Sequence, residues 1–147
     1  TVCELQRNIE KAQKSAQGTV RPRVYFEEWP DPYICGIQWV SQLIDIAGGS
    51  DVFAERSLQG LAKARIIEHD QIILSKQPEI IIGSWCGRRF RAEQVRSRPG
   101  WSHIPALQNH QLFEIKSAYL LQPGPTALTK GLEHIQNIIQ AFHYPPA

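Results

Sequence analysis

Apolar residues recur at positions 2, 5, 9, 12 and 16 (Val2, Leu5, Ile9, Ala12, Ala16), and almost every position between them is polar or charged. That spacing predicts a helix with a single narrow apolar face, stopped by Gly18 where a carboxyl-end cap is expected. A stripe this thin suits a helix lying along the outside of a body or between two bodies. The pattern then changes period. Arg23 to Glu28, rich in Val, Tyr and Phe, predicts a strand. The two prolines in Trp29-Pro-Asp-Pro-Tyr33 predict irregular chain after it. Ile37, Val40, Leu43, Ile44 and Ala47 return to helical spacing, and Gly48-Gly49 end that helix.

Between Asp51 and Ile67 the pattern is weak, and it predicts a short strand at 51–54 followed by irregular chain. Asp70 to Gln77 predicts a short helix cut by Pro78. Glu79 to Gly83, with three consecutive isoleucines, predicts a parallel strand buried on both faces. A short helix is expected at Arg91 to Ser97, a strand at Gln111 to Ile115, and a long last helix whose face is Leu128, Leu132, Ile135, Ile139 and Phe142. Strands alternate with helices, and no Asn-Gly-type hairpin signal separates apolar runs. The expected fold is therefore α/β, a three-layer body with a mostly parallel sheet built from βα units.

Composition narrows the class. The 147 residues are enough for one domain with a sizeable core. Sixteen basic residues against fourteen acidic ones leave a net charge of +2, too balanced to indicate a nucleic-acid surface. The absence of methionine, with threonine first, predicts a chain that was processed, cut from something longer or made as a separate piece. Three cysteines, Cys3, Cys35 and Cys86, show neither a disulfide framework nor a CxxC knuckle.

Candidate chemistry gathers after the strands. In parallel sheets, ligands sit outside the strands' carboxyl ends. Three strands open there into Glu27–Tyr33, Ser84–Gly87 and Lys116–Pro125. Half of the chain's eight Trp and Tyr residues fall in these loops: Trp29, Tyr33, Trp85 and Tyr119. Such side chains offer broad contact area at little rotamer entropy, and they also cap the ends of cores. Together they predict a binding edge for a bulky, partly apolar ligand, with Trp85 at its lip. Cys86 stands beside Arg88, Arg89 and Arg91, which would favour a thiolate. A phosphatase-type loop needs Arg at the sixth position after the cysteine, and Ala92 is there. None of the five histidines lies in the three loops. Cys86 thus reads as a small residue fitted into a turn, with a thiol nucleophile as the alternative. Cys35, Cys86 and His103 lack metal-ligand spacing. There is no Walker loop and no GxGxxG. Arg88, Arg89, Arg91, Arg96 and Arg98 read as a solvated surface or as contacts to an anionic group.

Four segments carry a further signal: "RPRVYFEEWPDPYICGIQWVSQLIDIAGGSDVF", "PEIIIGSWCGRRF", "RPGWSHIPALQNHQLFEI" and "LLQPGPTALTKGLEHI". Covering roughly Arg21 to Phe142, they resemble one lobe of the helix-linked substrate-binding proteins that serve ABC importers of cobalamin and iron–siderophore complexes. The resemblance is greatest to the cobalamin-binding-protein-like branch. It implies that residues 1–18 are the end of the helix joining two lobes and that 19–147 are the C-terminal lobe. The N-terminal lobe would be missing from this chain. It further implies a non-catalytic solute-binding protein without a cofactor of its own, in the periplasm or tethered outside the membrane. Such a protein holds a metal chelate between its lobes and delivers it to the ABC permease.

Carried over by position, Tyr33 falls where these receptors place an aromatic contact, and Ala118 to Gln122 where their last ligand loop lies. Ala118 and Gln122 replace an acidic and a basic residue there, and Arg65 stands near the place of a tryptophan. The implied ligand therefore extends from cobalamin to a related corrinoid, haem-like or siderophore chelate. The expected ligand set is Trp29, Tyr33, Trp85, Tyr119 and Gln122. Each lobe of the family offers the permease a surface carboxylate; Gln71 holds that position, flanked by Glu68 and Asp70, which form the expected docking set. A thiol enzyme using Cys86 and a stand-alone α/β interaction module are the rival readings.

Overall fold

The computed structural model describes residues 2–16, 20–121 and 125–142. Gly18, the expected cap, and Gln122, expected at the ligand edge, lie outside the described residues. The strands are β1 (Arg23–Pro30), β2 (Tyr33–Cys35), β3 (Ser50–Asp51), β4 (Ile66–Ile67), β5 (Ile80–Gly83) and β6 (Leu112–Glu114). The helices are α1 (Val2–Ala16), α2 (Gln38–Ala47), α3 (Asp70–Ser75), α4 (Ala92–Arg96), α5 (Pro105–Gln108), α6 (Ser117–Leu120) and α7 (Leu132–Ala141). A π-helical turn at Ala127–Gly131 runs straight into α7.

β1 is the centre of the sheet. β5 runs parallel to it in the register Val24↔Ile80 to Glu27↔Gly83, and β6 runs parallel to β5. β3 pairs parallel with the start of β1. The far half of β1 is instead paired antiparallel with β2, which carries β4 antiparallel at the rim. The parallel core agrees with the expected fold class; the hairpin does not agree with the irregular chain expected at Trp29–Tyr33. Both prolines occupy places where no ladder donor is needed: Pro30 ends β1, and Pro32 sits in the two-residue turn. The loop expected from Lys116 likewise contains α6, whose Leu120 is buried.

Strand alternation divides the core. Val24, Phe26, Ile80 and Ile82 face a layer built by Val40, Leu43 and Ile44 of α2, Leu132, Ile135 and Ile139 of α7, and Ala12 of α1. Tyr25 and Ile81 face the opposite layer, with Ile73 of α3, Val95 of α4, Trp101 and Ile104. Both faces are covered, which is why Ile80, Ile81 and Ile82 are all fully buried. The thin stripe of α1 behaves as its sequence implies: Ala12 is buried, Leu5 and Ile9 are half-buried, and Val2 is exposed.

A carboxylate is buried where the pairing of β1 with β5 ends. Glu27 is 0% exposed, and Arg98 meets it in a two-pronged ion pair at 2.9 and 3.0 Å. Tyr25 Oη donates to its Oε1 at 2.9 Å, and Trp85 Nε1 donates to its Oε2 at 2.9 Å. The Arg98 guanidinium is itself packed against two rings, 4.9 Å from the centroid of Tyr33 and 4.6 Å from that of Trp101. Burial works against its charge, but the bonds to Glu27 outweigh burial and raise its pKa. Arg98 is therefore a strut joining the sheet to the segment after α4, and not part of a solvated arginine surface. A second strut lies beside it: Arg65 donates to Glu28 Oε2 and to the Cys35 carbonyl, each at 2.6 Å. Burial, with Glu27 next in weight, pushes the Tyr25 hydroxyl well above its ordinary pKa, and burial raises Tyr33 as well. Both phenols stay protonated donors at neutral pH.

The chain after β5 is pinned just as firmly. Phe90 folds back over Gly83, where any Cβ would collide with its ring. It meets Trp85 edge-on at 4.9 Å, and its backbone N–H donates to Glu114 Oε2 at 2.8 Å.

Arg98→Met leaves Glu27 as an unpaired buried charge and is expected to lower unfolding stability by about 3–5 kcal/mol in urea titrations. Arg98→Lys, which keeps the charge but cannot form both prongs, should fall between the two. A loss below about 1 kcal/mol for Arg98→Met contradicts the strut. Gly83→Ala should cost about 1–3 kcal/mol by overpacking, read from the same titration. An unchanged midpoint would mean that Phe90 does not hold this position.

Candidate functional site

β1, β5 and β6 run in one direction, so their following residues emerge on one edge. There the chain leaving β5 and the chain leaving β6 enclose an open depression of about 590 Å³. Trp85, Gly87, Arg88 and Arg89 line it from one side, and Glu114, Ile115, Lys116, Ser117 and Ala118 from the other. Gly87 makes the necessary turn at φ 69°, a left-handed conformation that suits glycine. It swings Arg88 back so that its guanidinium carbon stands 5.4 Å from the Trp85 ring centroid. Glu114 is occupied by the Phe90 N–H, while the three cations lie exposed around the opening.

The four aromatic residues expected on this edge do not form one surface. Trp85 is only 2% exposed. It belongs to the floor of the depression and not to its lip, because its indole N–H is drawn inward by Glu27. Tyr33 is half-buried on the same side of the sheet, tilted against Trp101 at 5.9 Å and covering Arg98. Tyr119 packs on the opposite side, against the α2–α7 layer, and stacks on His134 at 5.2 Å. Trp29 is half-exposed near the hairpin tip, donating its indole N–H to the Asp31 carbonyl at 3.0 Å. Of the four, only Trp85 lines the depression; Trp29, Tyr33 and Tyr119 are each half-exposed outside it.

The expected docking residues lie around the start of α3. Glu68 is exposed and paired with Arg56 at 3.2 Å. Asp70 accepts the Trp101 indole N–H at 3.3 Å, and Gln71 is exposed. Cys35 is buried, donating its thiol to the Arg65 carbonyl at 3.4 Å, and burial pushes its pKa up to about 12. Cys86 is exposed beside the depression. Among the described residues, no group of three His, Cys, Asp or Glu side chains is placed to hold a metal ion, and no helix is long and apolar enough to cross a membrane. A further depression of about 530 Å³ runs along α2 and β3, lined by Gln38, Ser41, Asp45 and Asp51 among others. Burial lifts the Asp51 carboxyl above its ordinary pKa.

Sequence reasoning missed Glu27, Arg98 and Lys116. For the first there was a signal: Glu27 has the parity of Tyr25 on a strand expected to be covered on both faces, so it required a buried partner.

Comparison with known proteins places this architecture. The periplasmic binding protein family matches residues 2–119. A vitamin B12-binding protein of Vibrio parahaemolyticus is 24% identical over 131 residues, covering 87% of this chain and 45% of that protein. Among solved structures, an ABC-type Fe3+-hydroxamate transport protein of Saccharomonospora viridis superposes with a TM-score of 0.75 at 17% identity, over 95% of this chain and 48% of its own. The periplasmic haem-binding protein RhuT of Roseiflexus sp. RS-1 gives 0.66 at 20% identity, over 94% and 55%. The chain thus spans about half the length of each. With a parallel, doubly covered sheet that opens at its carboxyl edge and a sequence match over most of its length, the chain belongs to the periplasmic binding protein family.

Proposed function

We propose that this chain is the C-terminal lobe of a two-lobed solute-binding protein, with residues 1–18 ending the helix that joins the lobes. Its partner lobe would close over the β5–β6 edge and hold cobalamin or a related corrinoid, haem-like or siderophore chelate. The protein works in the periplasm or tethered outside the membrane and passes its ligand to an ABC permease. The observation that carries this reading is a coincidence. The open depression lies at the carboxyl edge of a parallel sheet, where a ligand is expected, in a chain that spans half the length of proteins named for binding B12, haem and ferric hydroxamate.

Grip comes from aromatic contact and loop dipoles, with no bond made or broken. Trp85 forms the floor of the depression, and Trp29, Tyr33, Tyr119 and Gln122 would supply further contacts once the partner lobe closes. Glu68, Asp70 and Gln71 face the permease. Glu68 already has a cationic partner in Arg56, so a permease arginine would exchange with Arg56 instead of meeting a bare carboxylate. The thiol-enzyme reading gives way, since the family consists of binding proteins.

Cyanocobalamin, haemin and ferrioxamine B, titrated into the full-length protein, test the reading by tryptophan fluorescence and calorimetry. At least one should bind with saturable quenching. Trp29→Ala should then weaken it roughly 5- to 30-fold, the usual range for losing an aromatic anchor. Ala118→Trp, which fills the depression from an exposed position, should weaken it further. Trp85→Ala is unsuitable, because it empties a core site and costs about 3–5 kcal/mol of stability. No binding by any of the three chelates, or unchanged affinity in both variants, contradicts the proposal.

A further inference from the structure

We infer that the β5–β6 depression selects an anionic ligand, a chelate whose rim carries carboxylate or similar oxyanion groups, and that Arg88, Arg89 and Lys116 make the selection. The inference rests on the chelate-binding reading above and adds the charge of the ligand to it.

Five of the chain's ten arginines are held by carboxylates. Arg21, Arg23, Arg56, Arg65 and Arg98 each have a carboxylate within 2.6–3.4 Å. Arg88, Arg89 and Lys116 have none among the described residues, although they surround a single opening. Glu114, the one carboxylate in the lining, is engaged by the Phe90 N–H. Three cations therefore face one committed anion, in a chain whose sixteen basic residues are otherwise nearly matched by fourteen acidic ones. Arg7, Arg91 and Arg96 are likewise without a carboxylate among the described residues, but only Arg88, Arg89 and Lys116 converge on one opening.

One of the cations is also held in place. Arg88 is packed over the Trp85 ring, and Trp85 is fixed by Glu27. Stacking occupies the face of a guanidinium and leaves its N–H edge free to grip a carboxylate in a two-pronged bond. Phe90, seated over Gly83, anchors the far end of the Arg88–Arg89 turn. A ligand meeting these groups would find much of the ordering already done. A closing second lobe would exclude water and strengthen every charge contact inside. A neutral, amide-rimmed ligand leaves the same three cations desolvated and unmatched, which is unfavourable. Charge complementarity here thus separates ligands of similar size and shape.

The test uses chelates matched in shape and different in charge. With the full-length protein, haemin is compared with haemin dimethyl ester, dicyanocobyrinic acid with dicyanocobinamide, and N-succinyl ferrioxamine B with N-acetyl ferrioxamine B. In whichever class binds, the anionic member should bind at least about tenfold more tightly at low salt, the equivalent of one charge-assisted contact. The preference should shrink at about 1 M salt, where the screening length is near 3 Å. Arg88→Gln with Arg89→Gln should abolish it without shifting the melting temperature, since both side chains are exposed. If the neutral member binds as well as or better than the anionic one, the inference is overturned while the chelate-binding reading stands. The same holds if the preference survives the double substitution. If no chelate of either charge binds, the chelate-binding reading fails, and this inference falls with it.

Discussion

The buried pair of Glu27 and Arg98 is the constraint around which the open edge of the sheet is built. A carboxylate without exposure in a central strand is unfavourable unless matched in charge and in hydrogen bonds. Here the match is nearly complete, with two prongs from Arg98, the Tyr25 hydroxyl and the Trp85 indole. Each partner comes from a different element, so satisfying one charge fixes the relative positions of β1, the β5 exit and the segment after α4. Trp85 is turned inward by this bond, and Arg88 then rests on Trp85. The geometry of the opening thus follows from a group that never reaches it.

The same pair draws Trp85 and Tyr33 away from a common aromatic face. Tyr33 and Trp101 are used to clasp Arg98, and Tyr119 is used on the opposite layer against His134. What remains for a ligand is less an aromatic platform than a charged hollow with an indole floor. Packing inside the domain thus engages Trp85, Tyr33 and Tyr119, side chains that a sequence-based reading assigns to recognition.

Much of the fold was legible from periodicity. The isoleucines of β5, the stripe of α2, the last helix and the thin face of α1 each carried a pattern that only one environment satisfies. Trp29–Tyr33 was not legible, because proline reads as a breaker even where a strand end and a tight turn need no donor. The short α6 and the two-residue β4 are held by their surroundings and have too few residues to show a period. At the site, the edge itself could be located from strand direction alone. The roles of its residues were harder to read. Trp85 looked like a ligand contact and Arg98 like a solvated cation, because each is amphipathic and its partner lies far away in sequence. Glu27 is 58 positions from Trp85 and 71 from Arg98. Only the alternation of β1 hinted at the buried charge that recruits them both.

The central claim is that ligand meets this chain at the β5 and β6 exits. Hydrogen–deuterium exchange of the full-length protein, with and without a saturating chelate such as haemin or cyanocobalamin, tests it most directly. The account predicts slowed exchange in residues 84–90 and 114–120 and at Trp29, with the α2–β3 depression around Gln38, Asp45 and Asp51 unchanged. Protection confined to the α2–β3 depression, with the two exits exchanging as in the free protein, would contradict it.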